Sequence, residues 1–170
     1  MKGYIALSVS ITLLLLPDIS WAGRRKLAVI DDQKFQEICG ECTGNTSATL
    51  RKNGRGRFAI LHSTSGELAG YFLITSDYSR PRGYHGATAV GLTLDPEGSI
   101  LSTRIIESAD TKDYVERIEE EGFLEKFLGR LPNSIVEVDA VSGATRTCDA
   151  IREAIKNTLS IFNATIVATN

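Results

Sequence analysis

Apolar residues recur along this chain at two spacings, and the spacing changes from one stretch to the next. Phe58 to His62 and Leu68 to Thr75 are short apolar runs suited to strands, and the polar Ser63-Thr64-Ser65-Gly66-Glu67 between them predicts a hairpin. Ala87 to Leu94 alternates as a strand, Asp95-Pro96-Glu97-Gly98 is a strong turn, and Ser99 to Glu107 returns as its partner. Helical spacing takes over elsewhere. Phe35, Ile38 and Cys39 share a face within Asp31 to Cys42, a helix ended by Gly44 to Ser47, and Tyr114, Val115 and Ile118 do so within Thr111 to Glu121. Gly122 to Leu131 reads as another short amphipathic helix, and Ala150, Ile151, Ala154, Ile155, Thr158 and Leu159 mark the last one. Thr49 to Arg51 opens a strand before a turn at Arg51 to Arg57, Ser76 to Gly86 is a loop, and Ile135 to Val138 alternates as a strand leading into the final helix. The pattern predicts one α+β domain, an antiparallel sheet of hairpins packed against helices, with a loose tail over 163–170.

The first residues change the picture. Lys2, the apolar run Tyr4 to Leu16, Pro17 and then Ser20-Trp21-Ala22 have the order of a secretory signal peptide, with cleavage expected after Ala22. Stretched to Ala22 and tolerating Asp18, the same run makes a marginal anchor for a membrane whose span takes roughly 20 residues. Either way the folded part is expected outside the cytoplasm, as a periplasmic or extracytoplasmic protein. Residues 23–56 then form an N-terminal helical segment, and 57–162 the main domain. With Lys+Arg 19 against Asp+Glu 21, the formal net charge of -2 supplies no field for gathering nucleic acid, which excludes that class of partner.

Three cysteines remain, Cys39 and Cys42 as C-G-E-C and Cys148 alone. In an oxidising compartment Cys39 and Cys42 can close a local disulfide or act as a redox pair. A c-type haem needs histidine after the second cysteine, where Thr43 stands instead. Zinc needs further ligands, and the histidines His62 and His85 lie far off along the chain; no metal site is expected.

The chemistry gathers at Asp139 to Ala150, "DAVSGATRTCDA", directly before the last helix. Helix N-termini leave amide hydrogens unpaired and carry partial positive charge, so they attract phosphate. Ser142, Thr145 and Thr147 add hydroxyls, Gly143 permits a left-handed turn, and Ala144 is too small to obstruct a ligand reaching Thr145. Such hydroxyls also serve as ordinary caps. An alkyl hydroxyl is a weak nucleophile without a base, and the neighbours here are Asp139, Asp149 and Arg146, with no imidazole. Thr145 therefore reads as an acceptor modified by another protein, and no catalytic residue is assigned.

Asp139-Ala140-Val141-Ser142-Gly143-Ala144-Thr145 resembles the D-x-x-S-G-A-T signature of the FMN-binding domain family, found in flavin subunits of the sodium-translocating NADH:quinone oxidoreductase and the Rnf complex. Gly83-Tyr84-His85-Gly86 is similar to that family's glycine-tyrosine-glycine-glycine loop, with His85 in place of glycine, and Asp110-Thr111 to its Glu-Thr pair, with Lys112-Asp113 in place of Pro-Gly. The likeness runs from about Phe58 to Leu159.

The resemblance implies FMN joined by a phosphoester to Thr145, attached from FAD by a dedicated flavin transferase. It also implies that Asp139, Ser142, Gly143, Ala144, Arg146, Thr147, Tyr84, His85, Gly86 and Thr111 line the cofactor site, Arg146 helping to balance phosphate charge and Tyr84 stacking on the ring. Cys148 would lie near the cofactor or fill the core. The function implied is an exported electron carrier serving membrane-bound electron-transfer proteins. The competing readings are a thiol-disulfide oxidoreductase working through Cys39 and Cys42, and a flavin-free accessory module of the same shape.

Overall fold

A computed structural model describes residues 26–44, 47–54 and 56–167; the leader expected over 1–22 lies outside the described residues. The elements follow in the order α1 (Asp32–Thr43), β1 (Ser47–Asn53), β2 (Gly56–His62), β3 (Leu68–Ile74), β4 (Thr88–Leu94), β5 (Ile100–Ser108), α2 (Lys112–Glu120) and α3 (Thr145–Val167). Short 3₁₀ turns lie at Thr75–Asp77, Leu124–Phe127 and Pro132–Glu137. The strands form one five-stranded antiparallel meander in the order β1-β2-β3-β4-β5. Helices cover both its faces, which makes the architecture the α+β class that the sequence pattern predicts.

Strand alternation sorts the side chains between those faces. Phe58, Tyr71, Leu73, Val90, Leu92 and Leu94 point one way and meet α3 through Cys148, Ile151, Ile155, Leu159 and Phe162, spaced three and four apart. Ala59, Leu61, Phe72, Ile74 and Ala89 point the other way and meet Phe35, Ile38 and Cys39 of α1. Burying a large apolar side chain contributes roughly 1.5–3 kcal/mol, so the two layers brace the sheet from opposite sides. Asp31 caps α1 by accepting from the Lys34 amide at 2.8 Å. Arg57 then ties α1 to the sheet, donating to Asp77 through Nε and Nη2 at 2.7 and 2.8 Å and to Asp32 at 3.1 Å.

Four stretches differ from the sequence expectation. The turn expected over Arg51 to Arg57 is mostly paired strand, since β1 runs on to Asn53 and β2 begins at Gly56. Ile135 to Val138 is not a strand: Pro132 opens a 3₁₀ turn, and Ile135 and Val138 are both buried because they lie three residues apart on one side of it, leaving Val136 54 % exposed. Gly122 to Leu131 keeps only the turn Leu124–Phe127. Beyond that turn the backbone leaves the helical path so that the Gly129 amide donates to Ile100 O and the Ile100 amide to Arg130 O. The last helix continues to Val167, through residues assigned to the tail. Among the described residues no helix is long and apolar enough to cross a membrane.

Replacing the fully buried Phe35 tests whether α1 belongs to the same cooperative unit as the sheet. Phe35→Ala is expected to cost about 3–5 kcal/mol in guanidinium unfolding, with the transition remaining single. An unchanged midpoint would contradict the packing of α1 against the sheet.

Candidate functional site

The chain reaches α3 through a tight turn. The Ala144 amide donates to Val141 O at 3.1 Å, and the Cys148 amide to Ala144 O at 3.0 Å. Gly143 takes φ 80, a left-handed conformation that a side chain would strain. Ala144 stands directly before the first helical residue, where a capping oxygen is preferred, and its methyl has none. The helix start is therefore left open. Among the described residues no side chain bonds the amides of Thr145, Arg146 or Thr147, and the hydroxyl of the exposed Thr145 has no partner. Ser142 and Gly143 are exposed beside it, as is Asp139 at the entry to the turn. Unpaired amides and the helix dipole at this point favour an anion by roughly 0.3–1 kcal/mol.

What holds the turn in place is Asp110, a carboxylate 3 % exposed between β5 and α2. Its Oδ1 accepts from the His85 amide at 2.7 Å and the Thr111 amide at 2.8 Å, and its Oδ2 from the Tyr84 amide at 3.0 Å and the Thr147 hydroxyl at 2.8 Å. Burial pushes this carboxyl upward, but the bonds from His85, Thr147, Thr111 and Tyr84 together outweigh burial and hold it below the ordinary value of 3.8. Glycine makes the approach possible. A Cβ on Gly83 would run into Asp110 Oδ2, and one on Gly86 into Ala109 O.

Thr147 is placed differently from the expectation: it is 1 % exposed and turned inward, so its hydroxyl serves Asp110 and not a ligand. Thr111 likewise spends its hydroxyl within the protein, pairing with His85 Nδ1 at 2.6 Å. Cys148 fills the core, fully buried, with its sulfur accepting from the Val141 amide at 3.4 Å, and burial pushes its thiol up.

Outside the turn, Tyr84 stands 46 % exposed. Its ring meets Tyr114 edge-on at 5.3 Å and His85 at 4.6 Å, and the Arg146 guanidinium lies 5.8 Å from its centroid. Arg117, from α2, reaches back with Nη1 3.5 Å from Ser142 O, and a Cβ on Gly143 would stand 2.5 Å from that nitrogen. Two cations thus flank the Thr145 turn. Arg146 was legible from the sequence beside the turn; Arg117 was not, because its link to Gly143 spans separate elements, although its place on the helix after Asp110-Thr111 is the signal that points to it.

Cys39 and Cys42 lie in the C-terminal half of α1 as free thiols, Cys39 buried and Cys42 half-buried. Burial is the main influence on both and pushes both thiols up, the reverse of the depressed value an attacking cysteine uses.

Asp110→Asn is expected to lower stability at neutral pH by about 1.5–3 kcal/mol, the scale of charged hydrogen bonds. Because the folded carboxyl titrates below 3.8, its contribution is complete above that pH and is lost as pH falls through the folded value. The gap between wild type and variant in urea unfolding should therefore close in acid; a gap constant down to strong acid would contradict the role given to the charge.

Residues 83–160 match the family model of the FMN-binding domain. The match opens at the loop bound by Asp110, takes in β4, β5, α2 and the whole Thr145 turn, and ends within α3, leaving α1 and β1 to β3 outside it. No curated protein matches the chain. The similarity to the FMN-binding domain thus covers 78 of the 170 residues and includes the Thr145 turn.

Proposed function

We propose that this chain is an exported flavoprotein electron carrier whose FMN is joined to Thr145 by a phosphoester bond. The observation that carries the reading is the exposed Thr145 hydroxyl, without a partner among the described residues, at a helix start that none of their side chains caps, within the stretch that matches the family. The residues present fit the group. The unpaired amides of α3 and the cations Arg117 and Arg146 suit a phosphodiester's charge, Gly143 and Ala144 leave its approach open, and the half-exposed Tyr84 offers a ring for stacking. Once bound, the flavin supplies the redox chemistry and the protein supplies orientation and tuning.

Among the described residues no carboxylate or imidazole accepts from the Thr145 hydroxyl, so activation falls to a separate flavin transferase. In that step the threonine oxygen bonds to the FMN phosphorus of FAD, the pyrophosphate bond breaks, the hydroxyl proton leaves to the transferase, and AMP departs. A covalent link also suits a protein outside the cytoplasm, since a reversible site empties when free cofactor falls below its dissociation constant. Export is supported by the apolar run Tyr4 to Leu16 and the small residues Ser20 and Ala22. Electrons would pass between a membrane-bound redox system and an extracytoplasmic acceptor.

Co-expression with a flavin transferase provides the test. The wild-type band should keep flavin fluorescence through denaturing electrophoresis, and Thr145→Ala should lose it with an unchanged circular dichroism spectrum. Fluorescence retained by the folded alanine variant, or absent from the wild type, would overturn the proposal.

A further inference from the structure

The loop bearing Tyr84 and His85 also borders a cavity of about 400 Å³, whose lining residues Lys26, Leu27, Val29, Arg80 and Arg82 precede the family match and do not include Thr145. Its wall includes Lys26, Arg80 and Arg82, the side of His85, and the apolar Leu27 and Val29. Three cations converge there and no carboxylate lines the cavity, in a chain whose formal net charge is -2. None of the three is in an ion pair among the described residues.

Two contacts set this wall. Arg80 Nε donates to Ser76 O, which directs its guanidinium, and the Ala28 amide donates to Glu107 Oε1 at 2.9 Å, which pins the segment carrying Lys26, Leu27 and Val29 against β5. Converging like charges repel, and an anion between them removes the repulsion. The volume falls in the range of about 300–1,000 Å³ typical of small-molecule sites. Val29, 90 % exposed, and Leu27 add apolar surface that a bare inorganic ion cannot use.

We infer that this cavity is a binding site for a small organic polyanion, a molecule with a planar apolar body and two or more acid groups such as carboxylates or sulfonates. The acid groups meet Lys26, Arg80 and Arg82, and the apolar body lies against Leu27, Val29 and the face of His85. Thr145 does not line the cavity, so binding there is expected with or without attached flavin; through His85 and Gly86 the cavity adjoins the loop proposed for the cofactor.

The probe is anthraquinone-2,6-disulfonate, titrated calorimetrically at physiological salt into the oxidised, flavin-loaded protein and into unloaded Thr145→Ala. Saturable one-site binding is expected in both. The double variant Arg80→Gln, Arg82→Gln should weaken it at least tenfold, with an unchanged melting temperature, whereas Lys156→Gln, on the exposed side of α3, should leave it unchanged. Three results would overturn the inference: no saturable binding to either protein, equal weakening by Lys156→Gln, which would mean attraction by bulk charge, or binding to Thr145→Ala that vanishes on flavin loading, which would make the cavity part of the flavin site. Failure of flavin attachment itself would leave the Thr145→Ala titration to decide the matter.

Discussion

One buried carboxylate organises the functional end of this molecule. Asp110 receives two loop amides from Tyr84 and His85, the amide that starts α2, and a hydroxyl from the first turn of α3. Those groups belong to three separate parts of the chain, and the one carboxylate accepts from all of them. A charge buried with four donors is stable where an unpaired one would cost several kcal/mol. The consequence is positional: with Thr147 drawn inward onto Asp110, the helix is rotated so that Thr145, two residues earlier, faces solvent. Its own first turn thus separates an inward, buried threonine from an outward, exposed one.

The rest of the fold serves to hold that arrangement rigidly. The core face of α3, from Cys148 to Phe162, locks the helix onto β3 and β4, and α1 closes the far side of the sheet over Phe72 and Ile74. Because Ala144 offers no capping oxygen, the helix start is left to be satisfied from outside. Arg117 and Arg146 approach from opposite neighbours, and both suit an anion there. The open cap and the flanking cations describe one site, assembled where α2 and α3 meet.

Much of this was legible in the sequence, for definable reasons. The hairpins around Ser63 to Glu67 and Asp95 to Gly98 carry strong turn residues between apolar runs, and α3 repeats its apolar face for several turns. Gly143 and Ala144 next to Thr145 pointed to the open turn because small residues in that setting have few other uses. What escaped was non-local or short. Ile135 and Val138 satisfy a strand and a 3₁₀ turn equally, and the decision rests on Pro132 and on burial that only the folded chain defines. Thr147 looked like a third ligand hydroxyl because its partner lies 37 residues earlier, in the link between β5 and α2. Arg117 and Tyr114 join the site only once α2 folds back against the Thr145 turn.

The proposed point of flavin attachment is Thr145. Cleavage after Arg130 and Arg146 releases Leu131 to Arg146, a peptide whose only hydroxyls are Ser134, Ser142 and Thr145. Tandem mass spectrometry of that peptide, taken from protein matured with its transferase, should localise one FMN to Thr145. An unmodified peptide, or an adduct on Ser142 or Ser134, would contradict it.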